Sequence, residues 1–449
     1  MERLKVNELL EWLKNKRRKP LVVWGARQVG KSYLLEDLFA KKYFKDYVYI
    51  DLKKDSEARS FFSSTCNPDE YLAYIEARFG KKISPKVPLI FDEVQQCHQV
   101  LSSLKYFCQD HRELPVIATG SLVRLSIKQN ESNKDDDEFL FPVGKIDSMT
   151  LYPVTFEEYL WNVNPNLLQK IKDAYKTKSE LKAPYHQMAM DALHEYLTIG
   201  GLPEPLSIFI QDKSYVDATK TLKEVYENYL GDMASYNVSD EMILKTRNLY
   251  KNIFSQLNKE NKNFKITAVE KGKSNRDYFS AYQWLELAHV IYRSKNVTGK
   301  VTVPITEKSD GLFRLYLADE GIFAYQSKVS QADFFVREKR DTLSGVFYEN
   351  YVACEFAAKE IPLYYWTGKA SHEFEFVVDS ANRIYAIDAK KTRGGLNSLA
   401  EFRQFNPKAG AIKISSNNFG YNEENDILTI PHYAAFLLAE DLRQGTLSL

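Results

Sequence analysis

One eight-residue stretch restricts what this chain can fold into more than any other. Gly25-Ala26-Arg27-Gln28-Val29-Gly30-Lys31-Ser32 satisfies the pattern G-x-x-x-x-G-K-[ST]. It follows the apolar run Leu21-Val22-Val23-Trp24 and precedes Tyr33-Leu34-Leu35-Glu36-Asp37-Leu38-Phe39, whose apolar spacing is helical. Strand, loop, helix is the context in which this motif works. Backbone N–H groups along the loop, closing onto a helix N-terminus, form an anion nest. Lys31 adds a point charge for β- and γ-phosphates, and Ser32 offers a hydroxyl to Mg²⁺. Gly25, Arg27, Gln28, Val29, Gly30, Lys31, Ser32 and Tyr33 are therefore the expected nucleotide-binding residues.

Short apolar runs alternating with helical stretches predict a parallel α/β sheet around this loop. Its strands are expected at Leu21 to Trp24, Tyr47 to Leu52, Pro88 to Phe91, Val116 to Thr119 and Lys145 to Leu151. The third strand runs into Asp92-Glu93. Asp92 is expected to hold the metal through its water shell, and Glu93 to orient or deprotonate the attacking water. The fourth ends in Ala118-Thr119-Gly120-Ser121, where a hydroxyl of Thr119 or Ser121 can report on the γ-phosphate; Ser121 is preferred. For a charge-stabilising cation, Arg124, Arg247, Lys145 and a residue from a second copy are all open. Asn133-Lys134-Asp135-Asp136 matches the guanine-reading N-K-x-D pattern, but it lies inside the polar run Lys128 to Glu138 and no glycine follows Asp92. ATP is expected, not GTP.

At 449 residues the chain exceeds what one hydrophobic core usually spans. With 61 basic and 60 acidic residues the net charge is +1, so any nucleic-acid surface has to be local. Cys66, Cys97, Cys108 and Cys354 lack C-x-x-C spacing, which argues against a disulfide framework or a structural zinc. The N-terminus leads into a charged amphipathic helix and no apolar run is long enough for a bilayer, so a cytoplasmic protein with no membrane association is expected.

The expected organisation is an α/β P-loop NTPase (AAA-like) parallel sheet at 1–154 with a helical lid at 155–236. A winged-helix-like middle domain at 237–310 and a restriction-endonuclease-like α/β C-terminal domain at 311–449 follow. In the middle domain, strands Val290 to Ser294 and Lys300 to Val303 flank Thr298-Gly299 as a wing. Lys271, Lys273 and Arg276 approach its second helix, either as contacts to a DNA backbone or as the solvated face of an interdomain module. In the last domain a strand from Glu373 to Val378 would place Glu373 and Glu375 on one face, and a following strand would do the same for Asp388 and Lys390. With Glu349 from the preceding helix, the set Glu349, Glu375, Asp388 and Lys390 has the composition of a metal-dependent phosphodiester-cleaving site. The alternative is an inert copy of that fold.

These motifs together resemble prokaryotic AAA-type ATP-binding proteins that carry the C-terminal domain of unknown function 4143, related to archaeal ATPases of the P-loop class. The resemblance covers nearly the whole chain. It rests on Gly25 to Ser32, Asp92-Glu93-Val94-Gln95, Thr119-Gly120-Ser121, Phe141-Pro142-Val143-Gly144-Lys145, Leu151-Tyr152-Pro153, Phe156-Glu157-Glu158-Tyr159-Leu160, Gly200-Gly201-Leu202-Pro203, Leu315-Tyr316-Leu317-Ala318-Asp319-Glu320-Gly321, and Gly345 with Glu349-Asn350. It implies an AAA-like ATPase core, a winged-helix-like middle and a restriction-endonuclease-like end. Where the family commonly has Glu-Val-Asp-Phe this chain has Glu373-Phe374-Glu375-Phe376, and where it has Glu-Val-Lys this chain has Asp388-Ala389-Lys390. The expected function is an ATP-binding, Mg²⁺-dependent ATPase coupling nucleotide state to a nuclease-like domain on DNA. The alternatives are a nucleotide-dependent switch or scaffold for protein partners, and a homo-oligomeric remodelling ATPase.

Overall fold

The computed structural model describes residues 1–121, 142, 144–234, 239–307, 311–329, 337–369, 372–389 and 396–447, with 337–344 and 396 described by their backbone. The chain divides into two compact units, Met1–Tyr152 with Leu287–His289, and Pro153–Glu286 with Val290–Leu449.

The first unit holds five strands, β1 (Leu21–Trp24), β2 (Val48–Asp51), β3 (Leu89–Asp92), β4 (Val116–Thr119) and β5 (Asp147–Thr150). They pair in parallel in the order β2-β3-β4-β1-β5. Strands β1, β3 and β4 are buried along their whole length, which suits the interior of a parallel sheet covered on both faces. The registers Val23↔Thr119 and Phe91↔Ala118 bring the C-terminal ends of β1, β4 and β3 to one edge, where ligands of open α/β sheets gather. The strand predicted from Pro88 begins one residue later, because Pro88 has no N–H for the ladder. Its carbonyl still accepts from the Val48 N–H at 2.9 Å. Phe62, Tyr71, Phe91 and Phe107 fill one side of the sheet, Phe62 meeting Phe91 edge-on at 5.4 Å. The guanine-reader lookalike, the polar run Lys128 to Glu138 and Arg124 lie outside the described residues.

The second unit opens with helices Phe156–Val163, Pro165–Thr177, Ala183–Ile199, Pro203–Asp212 and Tyr215–Asp232. Within this run, Ala183–Ile199 and Tyr215–Asp232 lie against the helix Glu320–Ser327. Further on are β6 (Ile291–Thr298), β7 (Phe313–Leu317), the helix Arg337–Ala358, β8 (Tyr364–Thr367), β9 (Glu373–Phe374), β10 (Phe376–Ser380) and β11 (Arg383–Ala389). The helix Leu396–Phe405 leads to β12 (Gly410–Ser415), β13 (Gly420–Asn422), β14 (Ile427–Pro431) and the helix Ala435–Gln444. Two sheets result, ordered β7-β6-β8-β9 and β10-β11-β12-β14-β13.

Two predictions fail here. No strand forms over Lys300 to Val303, so the wing hairpin is not made. Instead β6 extends to Thr298, antiparallel to β7 and parallel to β8. Beyond Gly299 the Val301 N–H is donated to the Asn406 side chain at 2.9 Å and Val301 joins the apolar cluster of Trp366 and Phe402, which removes the segment from any hairpin. The single strand predicted over Glu373 to Val378 is also broken at Glu375. Residues before it pair with β8 and residues after it pair with β11, so Glu373 and Glu375 do not share one strand face.

Candidate nucleotide site

At the end of β1 the chain turns sharply. Gly25 has φ 143°, and a Cβ there would sit 2.3 Å from the Leu151 carbonyl oxygen, so only glycine fits. Gln28 (φ 65°) and Gly30 (φ 89°) complete the loop, and the helix begins at Lys31. That helix runs as Lys31–Tyr33, a π-type segment Leu34–Ala40 and Lys41–Tyr43, a departure from α geometry that is frequent beside functional sites. Ala26 and Val29 are buried, Arg27 and Gln28 half-buried, and Ser32 and Tyr33 exposed at the first turn. From the N-terminal helix region, Arg3 reaches in. Its guanidinium donates to the Val29 carbonyl at 3.1 Å and the Tyr152 carbonyl at 2.6 Å.

Lys31 is 7% exposed. Its ammonium donates to the Gly25 carbonyl at 3.0 Å and the Ala26 carbonyl at 2.7 Å. Burial lowers its pKa to about 8, against the pull of Asp92 and Glu93. Asp92, the last residue of β3, collects three donors on one carboxylate: the Ser32 hydroxyl at 2.6 Å, the Tyr49 hydroxyl, and the Glu93 N–H at 2.7 Å. Ser32 and Asp92 are thus adjacent hard oxygen donors, one of them anionic, and they fit Mg²⁺, which binds through one or two carboxylates with substrate phosphates.

Glu93 stands just past β3 in a left-handed conformation (φ 54°, ψ 40°), half-buried, accepting a hydrogen bond from the Gln95 side chain. A non-glycine residue there costs roughly 1–2 kcal/mol, strain of a kind that concentrates at functional sites. On β4 the choice between two hydroxyls is narrowed by geometry. Thr119 is completely buried and donates to the Val23 carbonyl at 2.9 Å, whereas Ser121 lies half-buried beyond the strand end. Arg247, in the second unit, donates to the Leu230 carbonyl at 2.9 Å; Lys145 is half-buried ahead of β5.

Sequence reasoning missed Tyr49 and Arg3. A signal existed for the first: β2 alternates, and Tyr49, opposite Ile90, is the partly buried polar-tipped residue between buried Val48 and Ile50. For Arg3 there was none.

In the second unit Glu349 and Glu375 are completely buried and Asp388 nearly so. Glu375 lies just before the ladder that starts at Phe376↔Ile387, and it accepts from the Ala389 N–H, next to Asp388, at 3.2 Å. Glu349, however, is engaged by protein cations and a phenol. It accepts from Arg314 at 3.2 Å, from the Tyr316 hydroxyl at 2.8 Å and from Lys262, whose ammonium also lies 3.7 Å from Glu375. Among the described residues no group of three His, Cys, Asp or Glu side chains could hold a metal ion, and Lys390 lies outside them. Other motifs of this unit form a joint. Asp319 accepts from the Gly201 N–H at 2.7 Å and the Ile322 N–H at 2.9 Å; Asn350 brackets Leu317 through its N–H (2.9 Å) and carbonyl (3.1 Å); and a Cβ on Gly321 would lie 2.1 Å from the Ile199 carbonyl.

Comparison with known families places an AAA domain at residues 17–160, a domain of unknown function 8612 at 190–333 and the domain of unknown function 4143 at 344–433. The chain therefore joins an AAA domain to a C-terminal domain of unknown function 4143. No curated protein matches it. Among solved structures it is similar to a Walker-type ATPase of Pyrococcus abyssi, at 15% identity and a TM-score of 0.43 over 73% of this chain and 95% of that one. Among the described residues no helix is long and apolar enough to cross a membrane.

Proposed function

Since the chain is built on an AAA domain, we propose that its first unit binds ATP with Mg²⁺ and hydrolyses it, and that nucleotide state governs the second unit. The observation that carries this is the 2.6 Å contact between the Ser32 hydroxyl and Asp92, beside a buried Lys31 at the mouth of the Gly25 to Ser32 loop. In this reading the loop N–H groups and Lys31 bind the phosphates, and Ser32 and Asp92 hold Mg²⁺. When bound, the metal neutralises phosphate charge. Glu93, half-buried just past β3 with a left-handed backbone, orients the attacking water and takes its proton, while Ser121 senses the γ-phosphate. Lys31→Ala should abolish ATP binding. Glu93→Gln should retain binding and slow phosphate release by about 10²- to 10⁴-fold, the usual worth of a general base; unaltered turnover in that variant removes Glu93 from the chemistry.

Two effector functions compete for the second unit: cleavage of DNA at Glu349, Glu375, Asp388 and Lys390, or a scaffold that binds protein partners on an inert nuclease-like fold. The engagement of Glu349 and Glu375 by Lys262, and of Glu349 by Arg314, favours the scaffold. Mn²⁺-dependent cutting of DNA that is lost in Lys390→Ala would reverse that preference.

A further inference from the structure

Buried carboxylates demand a counter-charge, and in a nuclease-like site that charge is a divalent cation. Here it comes from the chain. Lys262 lies between the helices Ile253–Leu257 and Ile266–Val269. Its ammonium meets Glu349 Oε2 and stands 3.7 Å from Glu375 Oε1. Arg314 supplies the second positive charge, pairing with Glu349 at 3.2 Å and Glu373 at 2.5 Å while its guanidinium lies 4.3 Å from the centre of the Tyr365 ring.

The segment that carries Lys262 is pinned immediately after it. Asn263 accepts from the Tyr365 hydroxyl at 2.6 Å, the Phe264 N–H is donated to the Phe313 carbonyl at 2.8 Å, and Lys265 exchanges hydrogen bonds with the Gln256 side chain at 2.8 and 3.2 Å. The fold thus fixes the backbone that presents the ammonium to Glu349 and Glu375. A divalent ion entering between these two carboxylates would have to displace that ammonium.

We propose that Lys262 is a resident cation standing in place of a divalent metal between Glu349 and Glu375, so that the carboxylate pair is closed to metal in this chain and opens when the ammonium is removed. This does not depend on hydrolysis at the Gly25 to Ser32 loop. The test uses the full chain, free of nucleotide and carrying Asp92→Asn to silence the first unit's carboxylate, titrated with Mn²⁺ alone and followed by the electron paramagnetic resonance of the free ion. With Lys262 present, binding should stay at background. Lys262→Ala should bind about one Mn²⁺ per chain at least tenfold more tightly, raise its melting midpoint in Mn²⁺, and lose both effects on adding Glu375→Gln. Lys262→Met, which keeps the apolar stem, is the second variant; folding of either variant only when Mn²⁺ is present also supports the proposal. It is overturned if the Lys262 chain itself binds Mn²⁺ and loses it on Glu375→Gln, or if both Lys262 variants are indifferent to Mn²⁺ in folding and in binding.

Discussion

At the residue scale, Lys31 and Asp92 are poised by opposite means. The Lys31 ammonium is buried and its pKa is lowered to about 8, so near pH 8 only about half of the chains carry the charge. Triphosphate binding favours the protonated form and should draw in up to about half a proton at pH 8, with affinity falling as pH rises above that value. Titration calorimetry in buffers of different ionisation enthalpy reads this directly, and a buffer-independent heat at pH 8 would contradict it. Asp92 instead owes its orientation to its donors, and the Tyr49 hydroxyl is the one the sequence did not reveal. Partners that orient a metal-holding carboxylate are typically worth 10- to 100-fold in metal affinity. Tyr49→Phe should therefore raise the Mg²⁺ concentration needed for half-maximal turnover by about that factor; an unchanged Mg²⁺ titration would show that the phenol is only packing.

At the element scale the first unit was readable because the strands that carry its loop ends, β1, β3 and β4, are short apolar runs with distinct ends. Leu21–Trp24 and Val116–Thr119 match the predicted strands residue for residue, and Asp92 proves to be the last residue of its strand. What local pattern cannot carry is pairing across long sequence distances. Nothing near Ile291–Thr298 announces that it will pair with a strand at Tyr364–Thr367, and a basic, Asn-rich stretch such as Glu260 to Lys265 reads as solvated loop whether or not its lysine is buried among acids. The same blindness hid Arg3, which ties the loop after β1 to the end of the unit through Val29 and Tyr152. Hydrogen bonds from a charged donor are each worth about 1.5–3 kcal/mol. With two such bonds, Arg3→Ala should then cost about 3 kcal/mol or more of stability in denaturant titration and weaken ATP binding about tenfold by freeing the loop. Loss of stability with ATP affinity intact would make Arg3 a structural tie only.

At the scale of the whole molecule, stability should depend on pH through acids buried in the second unit. Asp319 and Glu355 are both pushed up by burial, to about 6 and about 8, even though Asp319 accepts from two backbone N–H groups and Glu355 from the Phe156 N–H at 2.9 Å. His432 goes the other way, held neutral by burial with a pKa of about 3. The signs separate the pH windows. A carboxyl whose folded pKa is raised contributes stability that is present below its unfolded value and is lost as pH climbs through the folded value. A histidine whose pKa is depressed contributes above its unfolded value and is lost as pH falls. Below about pH 6.5 the two kinds of group oppose each other. Between about 6.5 and 8 the unfolded chain's His432 loses the last of its charge and Asp319 is mostly ionised, so the raised acids Glu355 and Glu320 set the slope, Glu355 contributing up to about 1.4 kcal/mol per pH unit against the folded state. Glu355→Gln keeps an oxygen for the Phe156 N–H and removes the titration. Over that window the variant should gain on the wild type steadily, and chemical denaturation at pH 6.5, 7.25 and 8 measures the gain. Parallel profiles for the two proteins would mean that Glu355 already ionises in the folded chain, and that its partial neutralisation by Lys359 outweighs its burial.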